Sequence, residues 1–107
     1  INHAIKNNIS IKQSELDLER NVYQAYNDVI NAKKSYEAAT KTLEARNQAY
    51  NFSKERYDVG LLNAFDFSQS TNAFENAQSE VLRTKYDYIF RTKILEFYFG
   101  IPLIKQQ

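Results

Sequence analysis

Side chains that could carry out chemistry are sparse in this sequence. The single histidine, His3, lies near the start of the chain without an obvious partner, and the 107 residues include no cysteine. Glu15, Asp17 and Glu19 are spread around a predicted helix, which is typical of a solvated face. The sequence has no Ser-His-Asp set, glycine-rich phosphate loop or carboxylate cluster with metal-ligand spacing. We therefore expect neither an enzyme nor a protein that holds a cofactor or metal ion.

The charge balance argues against a nucleic-acid partner. Lys and Arg number 14 against 13 Asp and Glu, which gives a net charge of +1. A nucleic-acid-binding domain usually has a clear basic excess or patch. No run approaches the roughly 18–20 apolar residues that span a bilayer, and the mean hydropathy is -0.62. The sequence opens with Ile1 inside a predicted helix, so we expect a segment of a larger protein.

Glycine and proline divide the chain into two long predicted helices. Both residue types are absent from 4–59 and 61–99, which favours helix throughout these ranges. Helix one is predicted over about 5–58, a turn over about 60–63 and helix two over about 64–99. Apolar residues repeat at alternating steps of three and four, the pattern of a coiled-coil seam. The sequence thus predicts an all-α fold, in which residues 1–107 form a single long antiparallel two-helix coiled-coil hairpin.

The seam also predicts which side chains meet across the hairpin. Folding helix two back from the turn gives three pairs: Tyr57 with Phe67, Tyr50 with Phe74, and Leu43 with Val81. A second apolar stripe, which includes Phe52, Leu82 and Ile89, indicates that another helix packs against the hairpin.

Helix two is predicted to reach back only to about residue 25 of helix one. This leaves a set of apolar residues without a partner: Ile5, Ile9, Ile11, Leu16, Leu18 and Val22. Because burial of such side chains is favourable, we expect the isolated segment to form a dimer or a higher oligomer.

The turn itself follows the rules for helix ends. Gly60 stands where a helix favours a left-handed residue after its last turn. Asn63 can cap the next helix, with Asp66 at its third position, as in a capping box that has Asp in place of Glu. Leu61 and Leu62 are unusual on a tight loop, and with the preceding valine they form a small apolar knob. The turn is therefore the candidate functional site of the hairpin.

The turn and the end of helix two resemble a known family. Tyr57-Asp58-Val59-Gly60-Leu61, the downstream Asp66, Tyr86-Asp87-Tyr88 and Gly100 resemble the outer-membrane efflux proteins of the TolC type, and their second repeat in particular. The resemblance implies a periplasmic hairpin in the α-helical barrel of a trimeric export channel of the cell outer membrane. It also implies that the hairpin tip docks a periplasmic adaptor, which links the channel to an inner-membrane pump for multidrug export.

The resemblance assigns roles to residues at the turn. It implies adaptor contact for three of them: Val59, Gly60 and Leu61. It implies a place in the pore constriction for three others: Tyr57, Leu62 and Asp66. Two positions depart from the family, since Leu62 stands where some members have Arg and Gln69 where some have a second Asp. Asp66 has two interpretations, a pore-facing carboxylate or a helix-capping residue.

Two alternatives to the channel hairpin remain open. One is the coiled-coil hairpin of a periplasmic adaptor, although the Arg-Leu-Ser pattern of adaptor tips is missing from the turn. The other is a generic coiled-coil scaffold, which would not need Val-Gly-Leu-Leu at its bend.

Overall fold

The protein consists of two long helices joined by a short turn. The computed structural model describes residues 2–105, with the side-chain surroundings of residues 2–100. Helix α1 spans Asn2–Asp58 and helix α2 spans Ala64–Lys105, which leaves residues 59–63 as the turn. No strand occurs in the range 2–105. The predicted all-α fold with two long helices is confirmed.

Helix α2 runs farther than its glycine and proline predict. The sequence places its end near Phe99, but the helix continues through Gly100 and Pro102 to Lys105. Gly100 is helical, whereas Gly60 has a positive φ. Proline removes one N–H group, yet its fixed φ is compatible with a helix. The two residues lower helix propensity, by about 1 and about 3 kcal/mol, without forcing a stop. The predicted end is therefore wrong.

Contacts divide the hairpin into two compact units, and the first contains the turn. It spans Ala32–Ile89. Its buried positions are small residues: Ala32, Ala39, Ala77 and Thr84. The Thr84 hydroxyl donates to the Glu80 carbonyl at 2.8 Å, which satisfies this polar group inside the helix. Small residues on facing helices let the two backbones approach closely.

Aromatic rings fill the seam of the same unit. The ring centroids of Tyr57 and Phe67 lie 4.6 Å apart, and those of Tyr50 and Phe74 lie 5.2 Å apart. Both predicted pairs are therefore confirmed, and they show that the helices run antiparallel beside the turn. The predicted pairing of Leu43 with Val81 stays a prediction.

The second unit comprises Ile1–Asn31 and Phe90–Gln107. Asp28 connects the helices here, because its Oδ2 accepts a hydrogen bond from Arg91 Nη1 at 3.4 Å. Its Oδ1 accepts a second hydrogen bond within α1, from Gln24 Nε2 at 3.0 Å. Arg91 occupies a seam position, so the pair places a charge where an apolar residue would be usual.

An apolar groove lies within the same unit. Its lining includes Leu18 and Val22 from α1 together with Tyr98 and Phe99 from α2. The expectation that Leu18 and Val22 lie beyond the reach of α2 is therefore wrong, because the large side chains of Tyr98 and Phe99 line the same groove. The prediction of exposure is confirmed for the other four residues of that set: Ile5, Ile9, Ile11 and Leu16.

Candidate functional site

Helix α1 ends at the turn in a Schellman motif. The Leu61 N–H donates to the Arg56 carbonyl at 2.8 Å, and the Gly60 N–H donates to the Tyr57 carbonyl at 3.1 Å. Gly60 has a φ of 79°, the left-handed conformation that this motif requires. Only glycine adopts this conformation without a steric penalty. The local sequence therefore fixes the direction in which the chain leaves α1.

Helix α2 begins with a side-chain cap. Asn63 Oδ1 accepts a hydrogen bond from the Asp66 N–H at 2.8 Å, as the sequence predicts for an N-cap. The Asp66 carboxylate departs from a standard capping box, because it accepts from the Asn63 side-chain amide at 3.1 Å rather than from a backbone N–H. Its negative charge also suits the positive end of the helix dipole. The capping interpretation of Asp66 is thus present in the structure.

The turn presents apolar side chains to solvent. Val59 is 70% exposed and Leu61 is 68% exposed, while Leu62 is half-buried. Phe65 is 69% exposed in the first turn of α2, and it is not among the site residues expected from the sequence. The sequence feature that could have identified Phe65 is a large aromatic residue beside the turn at a position outside the seam. Four neighbouring positions therefore contribute apolar surface, more than a loop that contacts only water requires.

The space outside Gly60 is empty. A Cβ atom built on Gly60 would have no other heavy atom within 4 Å. The glycine is therefore not required by crowding within the chain. Its positive φ explains why it stands there, and its bare backbone leaves room for a partner to approach.

Two of the three predicted constriction residues line one groove. Leu62 and Asp66 line a shallow groove together with Arg46, Gln69 and other residues. Tyr57 is not part of this lining, because its ring stacks on Phe67 in the seam. Arg46 falls at a seam position in the repeat of α1, four residues before Tyr50, and the sequence alone does not assign it to this groove. The groove combines a cationic, an anionic and an amide side chain, which suits polar contacts.

Arrangements typical of catalysis do not occur at the turn. Within residues 2–105, no group of three or more histidine, aspartate and glutamate residues is placed to hold a metal ion. A clear pKa perturbation lies elsewhere, in the exposed pair of Glu80 and Arg83, where the hydrogen bond from Arg83 lowers the pKa of Glu80. None of the helices in this range combines the length and apolar character of a bilayer crossing.

Comparison with known proteins assigns the family. Residues 6–100 match the model of the outer membrane efflux protein family. No curated protein and no solved structure is significantly similar to the chain. The match covers both helices and the turn, so the resemblance seen in the residues around Gly60 is confirmed. The chain belongs to the outer membrane efflux protein family.

Proposed function

We propose that this chain is a periplasmic helical hairpin of an outer-membrane efflux channel and that its turn docks a periplasmic adaptor protein. Membership of the family makes the chain a component of an outer-membrane efflux channel, which is a transport protein rather than an enzyme. The hairpin forms part of the export conduit, and three copies of the parent protein assemble into the channel. The adaptor connects it indirectly to an inner-membrane pump.

The exposed turn is the observation that supports docking. Val59 and Leu61, which flank Gly60 in the sequence, are both exposed, and a Cβ atom at Gly60 would meet open space. Apolar and aromatic residues that lose water on association contribute most of the energy of many interfaces. Phe65, in the first turn of α2, adds an exposed aromatic ring close to the turn in the sequence. The family match favours this channel function over the adaptor hairpin and the generic scaffold.

Site-specific photo-cross-linking in cells tests the docking proposal. A benzophenone side chain placed at Leu61 is expected to form an adduct with the adaptor, because Leu61 is exposed at the turn. The same side chain at Glu37, an exposed position within α1, is the matched control and is expected to give no adduct above background. Immunoblots against the adaptor provide the measurement. Failure of Leu61 to capture the adaptor, or equal capture from Glu37, would argue against docking at the turn.

Asp66 is proposed to face the pore and to favour cations. A carboxylate contributed by each protomer at a constriction attracts cations and repels anions. In the whole channel reconstituted in a planar bilayer, Asp66→Asn is expected to lower the cation-to-anion permeability ratio, measured from reversal potentials. The substitution retains an oxygen that can accept from Asn63. Asp58→Asn removes an exposed charge at the end of α1 and serves as the control. An unaltered ratio in Asp66→Asn would leave this residue a capping role alone.

A further inference from the structure

Four aromatic rings stack in series beneath the turn. Tyr57 faces Phe67 with ring centroids 4.6 Å apart and ring planes 8° apart. Phe67 also lies 5.9 Å from Tyr50, which in turn faces Phe74 at 5.2 Å with ring planes 12° apart. The rings come alternately from α1 and α2, so each stacking contact joins the two helices. We call Tyr57, Phe67, Tyr50 and Phe74 the aromatic ladder.

The other seam positions beside the turn provide little apolar contact. Ser53 and Ser70 face each other, and their hydroxyl oxygens are 2.8 Å apart in a half-buried hydrogen bond. Arg46, the preceding seam position on α1, is exposed. Farther from the turn, the same unit buries Ala39 and Thr84. Association of the helices next to the turn therefore depends mainly on the ladder.

We propose that the aromatic ladder positions the turn for docking, with Tyr50 as the central positioning residue. This inference rests on the proposed function, because it assigns the ladder a role in presenting the adaptor-binding turn. Tyr50 contacts both Phe67 and Phe74, so its loss interrupts the stack at its centre. Stacked rings, three of them on half-buried residues, restrict rotation about the seam and hold the ends of α1 and α2 together. A turn held in one conformation loses less entropy when a partner binds.

The chain offers a matched control for this proposal. Tyr36 and Tyr88 form another ring pair in the seam, with centroids 6.3 Å apart, and neither ring belongs to the ladder. Tyr36→Leu therefore removes a seam tyrosine of the same type from the same helix at a greater distance from the turn. Tyr50→Phe keeps the ring and removes only the hydroxyl. Leucine is a good helix former, so both leucine variants are expected to retain helical circular dichroism.

Amide hydrogen exchange measured by NMR tests the ladder without an adaptor. The reporters are the Gly60, Leu61 and Phe67 amides, which all donate hydrogen bonds at the turn. In Tyr50→Leu we expect these amides to exchange about fivefold faster, because local opening at the turn becomes easier. Tyr36→Leu and Tyr50→Phe are expected to leave their exchange within about twofold of the unsubstituted chain. Equal acceleration in Tyr50→Leu and Tyr36→Leu would overturn the proposal, since it would show a general loss of seam stability.

Adaptor affinity completes the test. With the whole channel and its adaptor, Tyr50→Leu is expected to raise the dissociation constant about fivefold, while Tyr50→Phe restores binding. Faster exchange at the turn with unchanged affinity would overturn the positioning role. If the unsubstituted channel does not bind the adaptor, the proposed function fails, whereas the exchange experiment still reports separately whether the ladder orders the turn.

Discussion

Replacement of Gly60 by tryptophan is expected to abolish efflux, so that cells become as susceptible to an exported compound as cells without the channel. The side chain would enter the open space outside the turn, where a Cβ atom meets no other heavy atom within 4 Å. The proposed cause of the loss is therefore a clash between the new side chain and a docked adaptor, and not crowding at the Cβ position within the chain. The measurements are drug susceptibility and the amount of channel in the outer membrane, which is expected to remain normal.

The positive φ of Gly60 requires a control for backbone strain. Any L-residue at a φ of 79° is strained, by roughly 1–2 kcal/mol. Asparagine tolerates this conformation better than most residues, and its side chain is much smaller than that of tryptophan. Gly60→Asn is therefore expected to retain most efflux. Unchanged drug susceptibility in Gly60→Trp would contradict docking at the turn, and equal loss in both variants would assign the effect to the backbone conformation.

The isolated chain is expected to self-associate at tens of micromolar, with a mass at least twice that of one chain. The core of the described residues is small, and no large side chain in it is fully buried. Ile9, Leu16 and Tyr23 recur at seven-residue spacing on α1, and all three are exposed. Burial of one large aliphatic or aromatic side chain contributes roughly 1.5–3 kcal/mol, so several such residues on one face favour association.

Light scattering after size-exclusion chromatography provides the measurement for this prediction. Combined Ile9→Glu and Leu16→Glu substitutions are expected to lower the average mass at the same concentration. Combined Asn7→Glu and Ser14→Glu substitutions add the same charge at exposed positions on the opposite face of α1 and are the matched control. A mass of one chain, together with a cooperative thermal transition, would show that the exposed face is tolerated in water.

Sequence rules predicted the turn because its structure is local. Gly60 and Asn63 are each recognised from residues within one helical turn, and the hydrogen bonds follow the expected helix-end patterns. The ring pairs were also predictable, since a short turn and a heptad repeat together fix which seam positions meet. The end of α2 was not predictable from Gly100 and Pro102, because a local loss of helix propensity does not determine whether a long helix stops.

The candidate site was only partly accessible from the sequence. Phe65 lies off the seam, and its exposure depends on how α2 is oriented after the turn, which the apolar repeat does not specify. The shared groove of Arg46 and Asp66 arises from the meeting of two helices, so neither residue signals it alone. The constriction assigned to Tyr57, Leu62 and Asp66 depends on neighbouring protomers, and it remains a proposal.

Buried alanines make some seam positions less tolerant of substitution than others. Ala25, Ala32, Ala39 and Ala77 are buried, whereas the large seam residues retain some access to water. Added methylene groups at a buried alanine would force the helices apart, at a cost of typically 1–3 kcal/mol. A partly exposed ring leaves a smaller void when it is shortened, because solvent or a neighbouring side chain can fill the space. Enlargement of a side chain at these four positions is therefore expected to destabilise the packing of the helices more than the shortening of a partly exposed seam side chain does.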